Sequence, residues 1–152
     1  MPKILFLSYG NICRSPMAEY IMRNLVREAG LEGQFRISSA ATSREEVGNS
    51  VYPLAQKKLS EHGISCAGQM ARQLQNRDYD EYDLLIGMDR SNLREMYRIC
   101  GGDFDDKMHL LLEFAGRSGE IPDPWYTRDF DAAWTDILDG CRGILERLAN
   151  RK

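Results

Sequence analysis

Ile4-Leu5-Phe6-Leu7-Ser8-Tyr9-Gly10-Asn11-Ile12-Cys13-Arg14-Ser15-Pro16-Met17-Ala18-Glu19 carries a strand, a loop and a helix start in one short stretch. Ile4 to Leu7 is an apolar run short enough for a buried strand. A polar loop follows, then a helix: Ser15 suits an N-cap, Pro16 the first helical position, and Glu19 the first turn, where negative charge is favoured. A strand feeding a tight loop and a helix N-terminus forms an anion site, because loop and first-turn N–H groups converge. Gly10 and Asn11 best tolerate the positive φ such a loop needs. Arg14 adds a permanently charged fork able to hold two phosphate oxygens. The backbone of Tyr9, Gly10, Asn11, Ile12 and Cys13, with Arg14, reads as a phosphate cradle.

Downstream, the pattern predicts a helix over 16–29, a strand over 35–39 and a helix over 51–62 with Leu54, Ala55 and Leu59 inward. Residues 66–82 read as mixed, with a helical turn around Ala71 to Gln75. A third strand falls at 83–88 and a helix at about 90–98. A fourth strand covers His109 to Phe114. The last helix, about 129–149, is the clearest: Phe130, Ala133, Trp134, Ile137, Cys141 and Ile144 follow helical spacing. Four short apolar runs alternating with helices imply an α/β fold, a four-stranded parallel sheet with helices on both faces. Ligands of such sheets bind beyond the carboxyl ends of the strands, where the loop from Ser8 to Arg14 lies.

The chain has 152 residues, a size that suits a single domain over 1–152, and neither linker nor repeat interrupts it. A net charge of −3 without a basic block argues against nucleic-acid binding. The sequence offers no membrane-length apolar run and no signal-peptide order at its start, so a cytoplasmic location is expected. The cysteines Cys13, Cys66, Cys100 and Cys141 are widely spaced, and His62 and His109 add no ligand pattern. No metal and no cofactor is expected, and the thiols should be reduced.

Asp123 in Ile121-Pro122-Asp123-Pro124-Trp125-Tyr126 is held between two prolines, which fixes a carboxylate with little backbone freedom. By itself this reads more readily as an ordinary Asp-Pro turn. Trp125 and Tyr126 could wall a pocket or pack on the last helix. Asn11, Ser15 and Ser39 could brace the loop, or serve as turn residue, cap and strand end.

The first stretch resembles the signature of the low-molecular-weight protein-tyrosine phosphatases, C-x-G-N-I-C-R-S-P, at every fixed position except the first, where Ser8 stands in place of the family's cysteine nucleophile. The resemblance continues through the D-P loop to the last helix. It implies a doubly wound fold of the phosphotyrosine phosphatase I kind. It also implies hydrolysis of phosphotyrosine through a cysteinyl-phosphate in the parent enzyme. Site residues carry over one by one: Arg14 and the loop amides on phosphate, Asp123 as general acid, Trp125 and Tyr126 as aromatic walls, and Asn11, Ser15 and Ser39 as the bracing network. A rim position that is often aromatic in the family is Glu45 here, with Tyr9 as a substitute surface.

A serine in this field stays protonated and needs a base, and neither histidine is near it in sequence. The residue two before Ser8 is Phe6, so no G-x-S-x-G elbow is present. The expectation is a scaffold that binds phosphate or sulfate, a phosphotyrosine protein or a small aryl phosphate, with little or no turnover. The intact arginine, acid loop and bracing residues favour an engineered substitution in an otherwise complete enzyme over a natural phosphoprotein-binding pseudophosphatase. Ile12 separates the chain from the related arginine phosphatases, which resemble it with threonine there, and from arsenate reductases, which carry serine. Cys13, which in the family can pair with the nucleophile, has no partner to form that disulfide. A monomer is the favoured state.

Overall fold

Strand β1 (Lys3–Ser8) lies at the centre of the sheet and delivers its last residue, Ser8, to the cradle. In the computed structural model, which describes residues 1–149, it is followed by α1 (Arg14–Glu28), β2 (Arg36–Ala41), α2 (Pro53–Glu61), α3 (Asp78–Glu81) and β3 (Leu84–Gly87). Then come α4 (Arg90–Cys100), β4 (Met108–Leu110), a 3-10 turn (Leu111–Ala115), α5 (Pro124–Thr127) and α6 (Phe130–Ala149). The strands run parallel in the order β2-β1-β3-β4. Ser8 pairs in register with Ala41, and Leu7 with Gly87.

The unbroken apolar run of β1 is explained by helices on both faces. Successive side chains of a strand point to opposite sides. Ile4 and Phe6 accordingly pack with α1 and α6, while Leu5 and Leu7 pack with Tyr79, Tyr82 and Met96 on the other face. All four are fully buried. Each such side chain contributes about 1.5–3 kcal/mol of hydrophobic stabilisation, which fixes the strand and the position of Ser8 at its end.

Several local expectations change. The fourth strand ends at Leu110, and the run continues as a 3-10 turn, because Leu111, Leu112 and Phe114 cross the sheet edge to bury themselves against α6. Helix α6 lies so close to that turn that a Cβ on Gly143 would fall 1.8 Å from the Phe114 carbonyl oxygen. Helix α1 starts at Arg14, with Cys13 at the N-cap position and no side-chain cap. Ser15 is therefore inside the helix, its hydroxyl taken by Ser8, and Glu19 lies beyond the first turn. Residues 71–75 are extended rather than helical, and Gln73 bridges Ala41 at the end of β2. The helical turn is displaced to α3. Leu54 is exposed, and only Ala55 and Leu59 of α2 are fully inward. Among the described residues, no helix is long and apolar enough to cross a membrane, and no group of His, Cys, Asp and Glu is placed to hold a metal.

Candidate active site

Between β1 and α1 the chain bends through Tyr9–Cys13 with Asn11 at φ 58°, a left-handed conformation that asparagine tolerates. Four carbonyls of this loop face outward: those of Ser8, Tyr9, Ile12 and Cys13 accept from the amides of Thr42, Ser43, Tyr52 and Met17. The N–H groups of Gly10 to Arg14, by contrast, find no acceptor among the described residues. A run of buried, unpaired donors beside a helix N-terminus favours an anion at its focus.

A hydrogen-bond chain braces the loop from behind. Ser8 Oγ lies 2.6 Å from Ser15 Oγ and accepts from the Ser15 amide at 3.3 Å. Asn11 Nδ2 donates to Ser15 Oγ at 2.9 Å and to Ser39 Oγ at 3.0 Å, while Asn11 Oδ1 accepts from the Arg72 amide. Ser39 donates to Glu19 Oε1 at 2.6 Å, and Arg23 closes the chain on the other Glu19 oxygen. Burial pushes the Glu19 carboxyl pKa upward, against the opposing pull of Ser39 and Arg23. Asn11, Ser15 and Ser39 are thus hydrogen-bonded into one network, with Glu19 as a further member.

Arg14 is buried, and two helix-capping aspartates hold it. Asp89 uses Oδ1 to cap α4 at the Asn92 amide, which leaves Oδ2 for Arg14 Nη1 at 2.8 Å. The same Nη1 donates to the Ile121 carbonyl at 2.9 Å. Asp123 caps α5 through Oδ1 at the Trp125 amide and presents Oδ2 to Arg14 Nη2 at 3.4 Å. Nη1 is thereby committed to the protein, and Nη2 faces Asp123 by a longer, weaker contact.

The cradle opens into a pocket of about 130 Å³ lined by Ser8, Ile12, Arg14, Glu46, Asp123 and Trp125, with Tyr9, Glu45 and Tyr126 at its mouth. Trp125 packs edge-on against Tyr52 with ring centroids 4.8 Å apart, and Arg128 donates to the Tyr52 hydroxyl at 3.0 Å. Tyr126 is 76% exposed and has no such anchor. Cys13 is buried, and burial followed by the charge of Asp123 pushes its thiol pKa up to about 12. It sits in the cradle as an unionised thiol. All four cysteines are free.

A model of the low molecular weight phosphotyrosine protein phosphatases matches residues 3–152. The chain belongs to this family. It is 36% identical over 154 residues to the low molecular weight protein-tyrosine-phosphatase YfkJ of Bacillus subtilis, covering all of this chain and 99% of that one. The crystal structure of YfkJ superposes with a TM-score of 0.95 over 100% of this chain and 97% of its own. The Gallus gallus low molecular weight phosphotyrosine protein phosphatase is 34% identical, with 95% and 94% of the two chains covered. The crystal structure of DARP, a Drosophila arginine phosphatase, is similar at 30% identity and a TM-score of 0.88, covering 99% of each chain.

Within this phosphatase scaffold, sequence reading passed over three groups at the site. Asp89 was legible only as a helix start, although its place just after β3 put it at the carboxyl edge of the sheet, where ligands bind. Glu19 resembled a first-turn charge and is instead a buried acceptor. Glu46 gave no signal, because only the folded loop brings it over Gly10. His62 stacks on Trp134 and His109 lies between Glu113 and Asp106, and neither lines the pocket.

Proposed function

We propose that this chain is a single phosphatase domain that binds phosphotyrosine and related aryl phosphates in the Gly10–Arg14 cradle, with Ser8 at the nucleophile position, and turns them over little or not at all. What supports the reading above all is the run of N–H groups from Gly10 to Arg14, without an acceptor among the described residues, in the loop that follows Ser8. Those donors and Arg14 Nη2 suit the three non-bridging oxygens of a phosphate monoester. Ile12 and Trp125 give the pocket apolar walls suited to an aryl ring, with Tyr126 at the mouth.

In the Ser8→Cys form, the same dipoles and Arg14 would hold a thiolate below phosphorus. That thiolate attacks phosphorus, the bond from phosphorus to the phenolic oxygen breaks, and protonated Asp123 gives its proton to the leaving oxygen. Asp123, now ionised, then takes a proton from water as the water oxygen attacks phosphorus and sulfur leaves. Phosphate results, with the thiolate restored. Ser8 lacks the first step: among the described residues its hydroxyl is hydrogen-bonded by the hydroxyl and amide of Ser15 and by no basic side chain, so the neutral oxygen cannot attack at a useful rate. The completeness of everything around Ser8 favours a substitution in an otherwise competent enzyme.

A neutral hydroxyl also removes the repulsion between a thiolate and a phosphate dianion. Calorimetric titration with inorganic phosphate tests this part. The chain with Ser8 is expected to bind at least as tightly as its Ser8→Cys form, and weaker binding by the Ser8 chain would overturn it.

A further inference from the structure

The loop that follows β2 is bound to the cradle at its near end and to the segment at Ala71 at its far end. The amides of Thr42 and Ser43 donate to the Ser8 and Tyr9 carbonyls, and the Ser43 hydroxyl donates to the Tyr9 carbonyl at 2.8 Å. At its far end, Gly48 donates to the Ala71 carbonyl and the Ala71 amide donates to Asn49. This loop therefore sets Glu45 and Glu46 at fixed places on the pocket edge. Glu46 lies over the cradle itself: its Cγ would be only 3.2 Å from a Cβ on Gly10, so a larger residue there would push it away. Its carboxylate is steadied by Asn49. Glu45 is exposed and faces the Tyr9 phenol, whose pKa it raises as hydrogen-bond acceptor and as charge.

Two carboxylates at the mouth of a site for a dianion are unfavourable for the phosphate itself. Arg44, just before Glu45, is exposed and lies outside the pocket lining, and neither of the two arginines closer to the cradle is paired with these glutamates among the described residues. Arg14 is inside and paired with Asp89 and Asp123, and Arg128 lies over the Tyr52 ring, bonded to the Tyr52 hydroxyl. A ligand that fills the cradle with phosphate and runs its aryl ring outward past Trp125 places its neighbouring residues at this acidic edge.

Resting on the phosphotyrosine reading above, we propose that Glu45 and Glu46 are specificity-determining residues that select phosphotyrosine segments carrying lysine or arginine beside the phosphotyrosine. An acidic neighbour would meet like charge, whereas a basic one would offset the repulsion that the edge imposes on the phosphate. Exposed ion pairs are individually weak, so two of them correspond to a preference of about threefold to tenfold. The preference is screened by salt, unlike the buried contacts of the cradle.

Because turnover is not needed, the chain as it stands is the reagent. Its affinity would be measured by fluorescence anisotropy competition for phosphotyrosine amide and for two phosphotyrosine peptides of equal length, one flanked by lysines and one by glutamates. The measurement is repeated with Glu45→Gln/Glu46→Gln and at raised salt. The expected result is tighter binding of the lysine peptide by about threefold to tenfold, falling to within twofold in the double variant and at high salt. The double variant should also bind phosphotyrosine amide somewhat more tightly than the parent. Equal affinity for the two peptides, or a preference that survives the double substitution, overturns the assignment and leaves the cradle reading intact. Failure of phosphotyrosine amide itself to bind overturns the cradle reading, and this inference with it.

Discussion

Ser8 Oγ and Ser15 Oγ lie 2.6 Å apart, and the Ser15 amide aims at the same Ser8 oxygen from 3.3 Å. Ser15 Oγ also accepts from Asn11, and either serine hydroxyl can be the donor in the bond between them. The atom at position 8 thus accepts from the Ser15 amide and faces the Ser15 hydroxyl, both in the first turn of α1. Both groups are able to donate to an anion at that position.

Asn11 supports that arrangement through three hydrogen bonds and through its own left-handed backbone. Asn11→Ala removes the bonds and adds strain at φ 58°. The combined loss is expected to be about 3 kcal/mol in urea unfolding, with Asn11→Gly about 1 kcal/mol less damaging because glycine relieves the backbone term. Equal losses in the two variants would show that the backbone conformation contributes nothing.

Glu19 should give an inverted pH dependence. Its pKa is raised in the folded chain, chiefly by burial, so the folded state holds the proton more tightly than the unfolded state. Its contribution to stability is complete below the unfolded value near about 4.3 and is lost as pH rises through the folded value. Glu19→Gln keeps an acceptor for Ser39 and has no such titration. The stability of the variant relative to the parent is therefore expected to rise between pH 4 and pH 7. Parallel denaturation midpoints across that range would contradict the assignment.

Gly143 marks the closest approach in the core. A methyl group there meets the Phe114 carbonyl oxygen at 1.8 Å, and neither α6 nor the 3-10 turn can move without opening the cluster around Leu111 and Ile144. Gly143→Ala should cost about 2–3 kcal/mol despite the better helix propensity of alanine. An unchanged unfolding midpoint would show that the two segments slide apart freely.

The sheet was legible because β1 and β3 are apolar on both faces, the pattern of a parallel strand covered by helices, and helical patterns alternate with them. The loop between β1 and α1 was legible because its residues are contiguous, although of Gly10 and Asn11 only Asn11 takes the positive φ expected of both. What escaped depends on distance in sequence. Asp89 reaches Arg14 across 75 positions, and Asp123 reaches it across 109, so only the second, fixed between prolines, announced itself. The start of α1 was misjudged for a related reason: Ser15 is a good cap in isolation, but tertiary contact with Ser8 outcompetes capping. The run 109–114 looked like a strand because three leucines in a row have no period, and packing on α6 decided their conformation.

The most direct test of the account compares hydrolysis of an aryl phosphate by this chain and by its Ser8→Cys form, side by side across pH. The cysteine form is expected to turn over at least about 1000-fold faster, with an acid limb set by a thiol ionising well below its ordinary value. Equal and negligible rates in the two forms, with phosphate bound by both, would contradict the claim that Ser8 alone separates this chain from a working phosphatase.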